Sequence, residues 1–171
     1  MKVYISIFVL LFSFFGYSQK TLSKLLKQYN DKGVPYISVQ ELASPNTDAI
    51  ILDAREPSEF EVSHIEDATC VGYNDFDIDR VTTMIPDKDK EIVVYCSLGI
   101  RSESIGEKLK RAGYTNVKNL YGGIFEWKNN NFEVYNSNNK TTDSVHAFSK
   151  EWSKWLKNGI KVYSKTLKTD G

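Results

Sequence analysis

Among the residues able to do chemistry in this chain, one cysteine stands in a distinctive setting. The apolar run Ile92-Val93-Val94-Tyr95 leads into Cys96-Ser97-Leu98-Gly99-Ile100-Arg101-Ser102, and an amphipathic segment follows. That order puts a thiol at the end of a buried strand and in front of a helix start. Backbone N–H groups and the positive end of a helix dipole lower a thiol pKa in that position and favour the thiolate, the nucleophilic form. Cys96 is therefore expected to be partly ionised at neutral pH and to act as a nucleophile. Gly99 permits a turn in which successive N–H groups face inward as an anion nest. Arg101 supplies a fixed positive charge for an oxyanion, and Ser102 is placed to cap the helix. Ser97, Leu98, Gly99, Ile100, Arg101 and Ser102 thus form the expected binding loop for a small anion.

Other reactive types are less suggestive. Cys70, the second of two cysteines, lies in the apolar run 69–73 and reads as a buried structural thiol; the competing reading is a redox partner that resolves an oxidised Cys96. His64 and His146 are isolated and lack metal-ligand spacing, so neither a metal nor another cofactor is expected. Asp53 and Arg55 end a strand and are expected to pair with Glu59 and support the loops around the site.

The elements that must position this loop follow from hydrophobic patterning. Short β-rich runs at 36–39, 49–52, 69–73, 91–95 and 117–121 alternate with helical segments, the clearest at 102–112 with Ile105, Leu109 and Ala112 on one face and Gly113 after it. Continuously apolar Ile50-Ile51-Leu52 and Ile92-Val93-Val94-Tyr95 read as central strands of a parallel sheet covered on both faces. This is an α/β layout, in which ligands sit beyond the carboxyl ends of strands, where Cys96 lies.

The 171 residues suit one domain with extensions, at 41% apolar and 26% charged. Basic and acidic residues are equal at 22 each, with no basic stripe, which argues against nucleic-acid binding. Residues 1–18 read as a signal peptide, with Lys2, an apolar run from Val3 to Phe15, and Gly16 and Ser18 before the cleavage point. The expectation is an exported protein, periplasmic or secreted and bacterial, without stable membrane insertion after cleavage. Residues 19–35 form a leading helix or linker. Past residue 128 an Asn-rich loop is expected, then a helix with Val145, Phe148, Trp152, Trp155 and Leu156 along one face, packed on the domain.

The Cys96 loop resembles the C-x-x-G-x-R-S active-site loop of single-domain rhodaneses. Leu52-Asp53-Ala54-Arg55-Glu56 is similar to the family's D-x-R-E element, Phe60 with Ser63-His64-Ile65-Glu66-Asp67-Ala68 to its F/Y-x-x-G-H-I-P-G-A element, and Leu120-Tyr121-Gly122-Gly123-Ile124-Phe125-Glu126-Trp127 to its L-x-G-G-x-x-x-W. Ser63 replaces the usual Gly, and Glu66-Asp67 replace Pro-Gly. The resemblance implies a rhodanese-like domain over 36–128, with a mostly parallel five-stranded sheet and helices on both faces, followed by a helical extension over 129–171. It also implies a thiosulfate sulfurtransferase-like enzyme. In such enzymes the thiolate attacks the outer sulfur of thiosulfate or a persulfide, the leaving group departs, and a cysteine persulfide passes its sulfur to a thiol or cyanide. Cysteine phosphatases place five residues between Cys and Arg; here four intervene, a tighter bowl that suits sulfur. The competing reading of another class is a persulfide relay or partner-binding module without turnover.

Overall fold

The computed structural model describes residues 21–31 and 33–163; the run read as a signal peptide lies outside the described residues. Strand β4 (Ile92–Tyr95) is buried along its whole length because its side chains alternate between two hydrophobic layers. Val93 and Tyr95 enter one layer, Ile92 and Val94 the other. Its neighbours are β2 (Ile50–Asp53) and β5 (Val117–Leu120); β1 (Tyr36–Ile37) lies outside β5 and β3 (Thr69–Cys70) outside β2. All four pairings in the order β1-β5-β4-β2-β3 are parallel. The five-stranded sheet expected from the sequence is present.

The edge strands are shorter than the apolar runs suggest, for local reasons. After Ile37, Ser38 caps helix α2 (Val39–Leu42) in a capping box with Glu41, which removes Val39 from β1. Beyond Cys70 the chain turns through Gly72 at φ +72. Helices α1 (Leu22–Tyr29), α2 and α6 (Gly123–Asn129) contribute Leu25, Val39, Leu42, Ile124, Phe125 and Trp127 to the first layer. Helices α4 (Ile78–Met84) and α5 (Arg101–Arg111) contribute Val81, Ile105 and Leu109 to the second. Helix α3 (Pro57–Val62) follows β2.

Asp53 pairs with Tyr95 across β2 and β4, so Ala54 and Cys96 leave the sheet side by side at its carboxyl edge. The Ala54 N–H donates to the Tyr95 carbonyl at 2.8 Å, extending the ladder to the point where the loops diverge.

The extension corrects one expectation: residues 142–158 form no α-helix. The chain instead makes an antiparallel pair, β6 (Val134–Tyr135) with β7 (Thr141–Thr142), then β8 (Ser144–His146), a 3-10 turn (Trp152–Trp155) and β9 (Ile160–Val162) parallel to β8. β-Branched Thr141, Thr142 and Val145 favour extended backbone. Phe148, at φ +63, cannot continue a right-handed helix. Val145 and Leu156 are nonetheless fully buried in the first layer.

Candidate active site

Cys96 emerges from β4 with only 2% of its surface exposed. The Gly99 N–H donates to its Sγ at 3.1 Å, and the backbone amides of Leu98 and Ser102 also face it. Burial pushes the thiol up, but the Arg101 charge and these hydrogen bonds outweigh it and bring the Cys96 pKa below its ordinary value. Ser102 is not the helix cap. Helix α5 begins at Arg101, with Ile100 in the cap position and no side-chain cap. The Ser102 hydroxyl instead lies 3.6 Å from Sγ and donates to Asn119 Oδ1 at 2.8 Å.

The loop keeps its N–H groups inward because its carbonyls are held elsewhere. Gly99, at φ +102, turns its carbonyl to the Nδ2 donors of Asn30 and Asn119, at 2.8 and 2.9 Å. The start of α6 captures the next two: Ile124 N–H donates to the Cys96 carbonyl at 2.9 Å and Phe125 N–H to that of Ser97 at 3.2 Å. Gly123 makes this approach possible. A Cβ there would stand 2.2 Å from the Cys96 carbonyl oxygen.

Arg101, expected to supply a positive charge for an oxyanion, is engaged within the protein. Its guanidinium donates to both carboxylate oxygens of Glu59, at 2.6 and 2.8 Å, and to Ser97 Oγ at 3.1 Å. Its other side lies against the Phe148 ring, 4.9 Å from the centroid. Burial opposes ionisation of Glu59, yet hydrogen bonds from His146 and Arg101, with the Arg101 and Arg55 charges, hold its carboxyl well below the usual carboxylate range. His146 Nδ1 stands 3.7 Å from Glu59 Oε1 and 3.2 Å from the Phe148 nitrogen.

Glu59 is therefore not the partner of Asp53 and Arg55 that the sequence suggested. Arg55, fully buried, pairs with Asp53 at 2.6 Å and donates to the Ser63 carbonyl at 2.6 Å, which ties the end of β2 to the end of α3. Burial and the Asp53 charge push the Tyr95 hydroxyl well up, so it stays neutral over this pair. Cys70 is half-buried with its Sγ 3.8 Å from the Arg55 carbonyl, and burial raises its thiol. Both cysteines are free thiols. His64 stacks on Phe60 with centroids 3.9 Å apart.

A cavity of about 160 Å³ opens over the sulfur, lined by Cys96, Ser97, Leu98, Ile100, Arg101, Phe148 and Trp152. Asn30, Asn119, His146, Phe148 and Trp152 carry the site although the sequence did not mark them as its parts, and Glu59, expected beside it, takes a different partner. Only Asn119 left a readable sign: an uncharged polar residue on the same strand face as apolar Val117, where burial demands hydrogen-bond partners.

This sheet order with a loop of amides around a strand-end thiol defines a class, and the comparisons name it. The family profile of the rhodanese-like domain matches residues 38–130, and the chain belongs to that family. Among curated relatives, the tRNA uridine(34) hydroxylase of Photorhabdus laumondii is 39% identical over 85 residues, covering 48% of this chain and 24% of that protein. The chain spans about a quarter to a third of the length of the first such relatives. Among solved structures, the rhodanese-like domain of an Anabaena protein matches with a TM-score of 0.55 and 25% identity, covering 60% of this chain and 79% of that one. A thiosulfate sulfurtransferase from Pseudomonas aeruginosa shares the fold, with a TM-score of 0.55 and 24% identity over 72% of this chain and 23% of that one.

Proposed function

We propose that the protein is a sulfurtransferase that carries sulfane sulfur as a persulfide on Cys96. The observation that carries this reading is the ring of amides from Leu98, Gly99 and Ser102 around a thiol whose pKa is lowered. The thiolate attacks the outer sulfur of thiosulfate or a persulfide, the inner group leaves with the bonding electron pair, and the outer sulfur stays on Cys96. The same amides then stabilise the terminal sulfur anion. A thiol or cyanide attacks that sulfur in the second displacement and regenerates the thiolate, so ping-pong kinetics follow. Ser97, Leu98, Gly99, Ile100 and Ser102 surround the donor, Arg101 orders that loop through Glu59 and Ser97, and Asp53 and Arg55 support it.

A relay without useful thiosulfate turnover is the second reading, favoured by the engagement of Arg101 with Glu59. The tRNA chemistry of the hydroxylases is not carried over, given the balanced charge and the small share of those proteins matched. In this reading the protein works after export, which fractionation of the source cells tests by showing it outside the cytoplasm. The activity test is thiocyanate formation from thiosulfate and cyanide, with intact mass measured after donor alone. Wild type gains one sulfur atom and Cys96→Ser does not; equal behaviour of the two ends the proposal. Loading without thiocyanate selects the relay.

A further inference from the structure

The cavity over Cys96 is closed on one side by residues that lie past the matched domain. Phe148 and Trp152 belong to the extension, and they line the cavity together with Leu98 and Ile100. Phe148 is 50% exposed and holds a left-handed backbone at φ +63, a costly conformation for a bulky side chain. Its backbone N–H is tied to His146, and its ring covers the Arg101 guanidinium. Trp152 is braced by an edge contact with Tyr29, centroids 5.9 Å apart. An aromatic side chain held half in water and against backbone preference fits a contact surface better than it fits core packing.

The charges point the same way. The partly buried Arg101 cation is matched by Glu59 through two short hydrogen bonds, and a Cys96 thiolate adds a second negative charge to the site. The Arg55–Asp53 pair is internally neutral. Among the described residues that line the cavity, the one cation, Arg101, is already compensated, so a second negative charge on a donor gains little there.

Resting on the sulfurtransferase reading, we propose that Phe148 and Trp152 make the site selective for singly charged sulfane donors that carry an apolar organic group, in preference to inorganic thiosulfate. The apolar group lies between the Phe148 and Trp152 rings and the Leu98 and Ile100 side chains, while the outer sulfur sits in the amide ring. With an organic thiosulfonate, the Cys96 thiolate forms a bond to the terminal sulfur, the bond between that sulfur and the sulfonyl sulfur breaks, and a sulfinate leaves with the electron pair. No oxidant or reductant is consumed.

The test follows the rate at which the reduced full chain gains one sulfur atom by intact mass, using benzenethiosulfonate, methanethiosulfonate and thiosulfate, each normalised to its rate with a free thiol. Benzenethiosulfonate is expected to exceed both others by about tenfold, the factor of one lost or gained aromatic contact. That advantage over methanethiosulfonate falls toward unity in Phe148→Ala and in Trp152→Ala. Phe148→Leu, which keeps an apolar side chain of similar bulk without the ring, also reduces it. An advantage unchanged within about twofold in all three variants overturns the proposal, as does a wild type that prefers thiosulfate. Absence of loading by every donor overturns the sulfurtransferase reading itself, so the two failures are distinct.

Discussion

Gly123→Ala probes the contact between α6 and the Cys96 loop. The added Cβ would meet the Cys96 carbonyl oxygen at 2.2 Å, the Ser97 carbonyl carbon at 2.8 Å and the Leu98 nitrogen at 2.9 Å, all backbone atoms that cannot rotate away. Ordinary contact begins near 3.4 Å, so helix and loop must separate by about 1 Å. Two hydrogen bonds, from Ile124 and Phe125 to the loop carbonyls, span that gap, and each contributes about 1 kcal/mol. Alanine at φ +56 adds about 1–2 kcal/mol of backbone cost. The expected destabilisation is about 3 kcal/mol, within what a domain with ~5–15 kcal/mol of stability survives. Because the displaced carbonyls belong to Cys96 and Ser97, the amide ring loosens, and a misplacement of about 1 Å at a reacting centre costs about 100-fold in rate. Urea denaturation followed by tryptophan fluorescence measures the first effect and sulfur loading by mass the second. A variant with wild-type stability, and with loading within about threefold of wild type, would refute the reasoning.

Other consequences are equally direct. Iodoacetamide at about pH 8 should modify Cys96 faster than Cys70, although Cys70 is the more exposed, because only the Cys96 thiol is lowered; equal rates by peptide mapping would revive a redox pair. Asn119→Leu removes the amide that joins the Gly99 carbonyl, the Ser102 hydroxyl and Glu103, and should cost about 3 kcal/mol in chemical denaturation with slower loading. Glu59 has a folded-state pKa below its unfolded value, so its stabilisation is fully present above about pH 4–5 and is lost as pH falls toward the folded value. Glu59→Gln should therefore be much less stable than wild type at neutral pH, and the gap should narrow on acidification; a gap independent of pH would contradict the assigned pair.

The sheet was legible because its central strands are continuous apolar runs, and a strand buried on both faces leaves few other readings. The Cys96 loop was legible because Gly99 and Arg101 stand at fixed offsets between a strand and a helix. What could not be read was which partner each charge takes. Glu59 lies four residues from Arg55 and 42 from Arg101, and chain proximity suggested the wrong pair; Arg55 is taken by Asp53, whose backbone it shares a turn with. The extension was misread for a related reason. Val145, Trp152 and Leu156 satisfy a helical period, but periodicity reports which residues need burial and not the backbone that delivers them. The ring of left-handed Phe148 lies against Arg101, a contact across the fold that no local pattern encodes.

That misreading bears on function. A helix would have stood on the domain as a separate layer, whereas the observed strand and turn bring Phe148 and Trp152 to the rim above Cys96. The loop sets the chemistry, since its amides face the sulfur whatever the extension does. The extension sets the surroundings, since it covers Arg101 on one side while Glu59 neutralises it on the other. An arginine engaged in this way orders the loop through Ser97 and Glu59 more than it attracts an anion from solvent. Thiolate formation and donor choice are thus controlled by different parts of the chain, and substitutions at Phe148 should alter the second while leaving the amide ring around Cys96 intact.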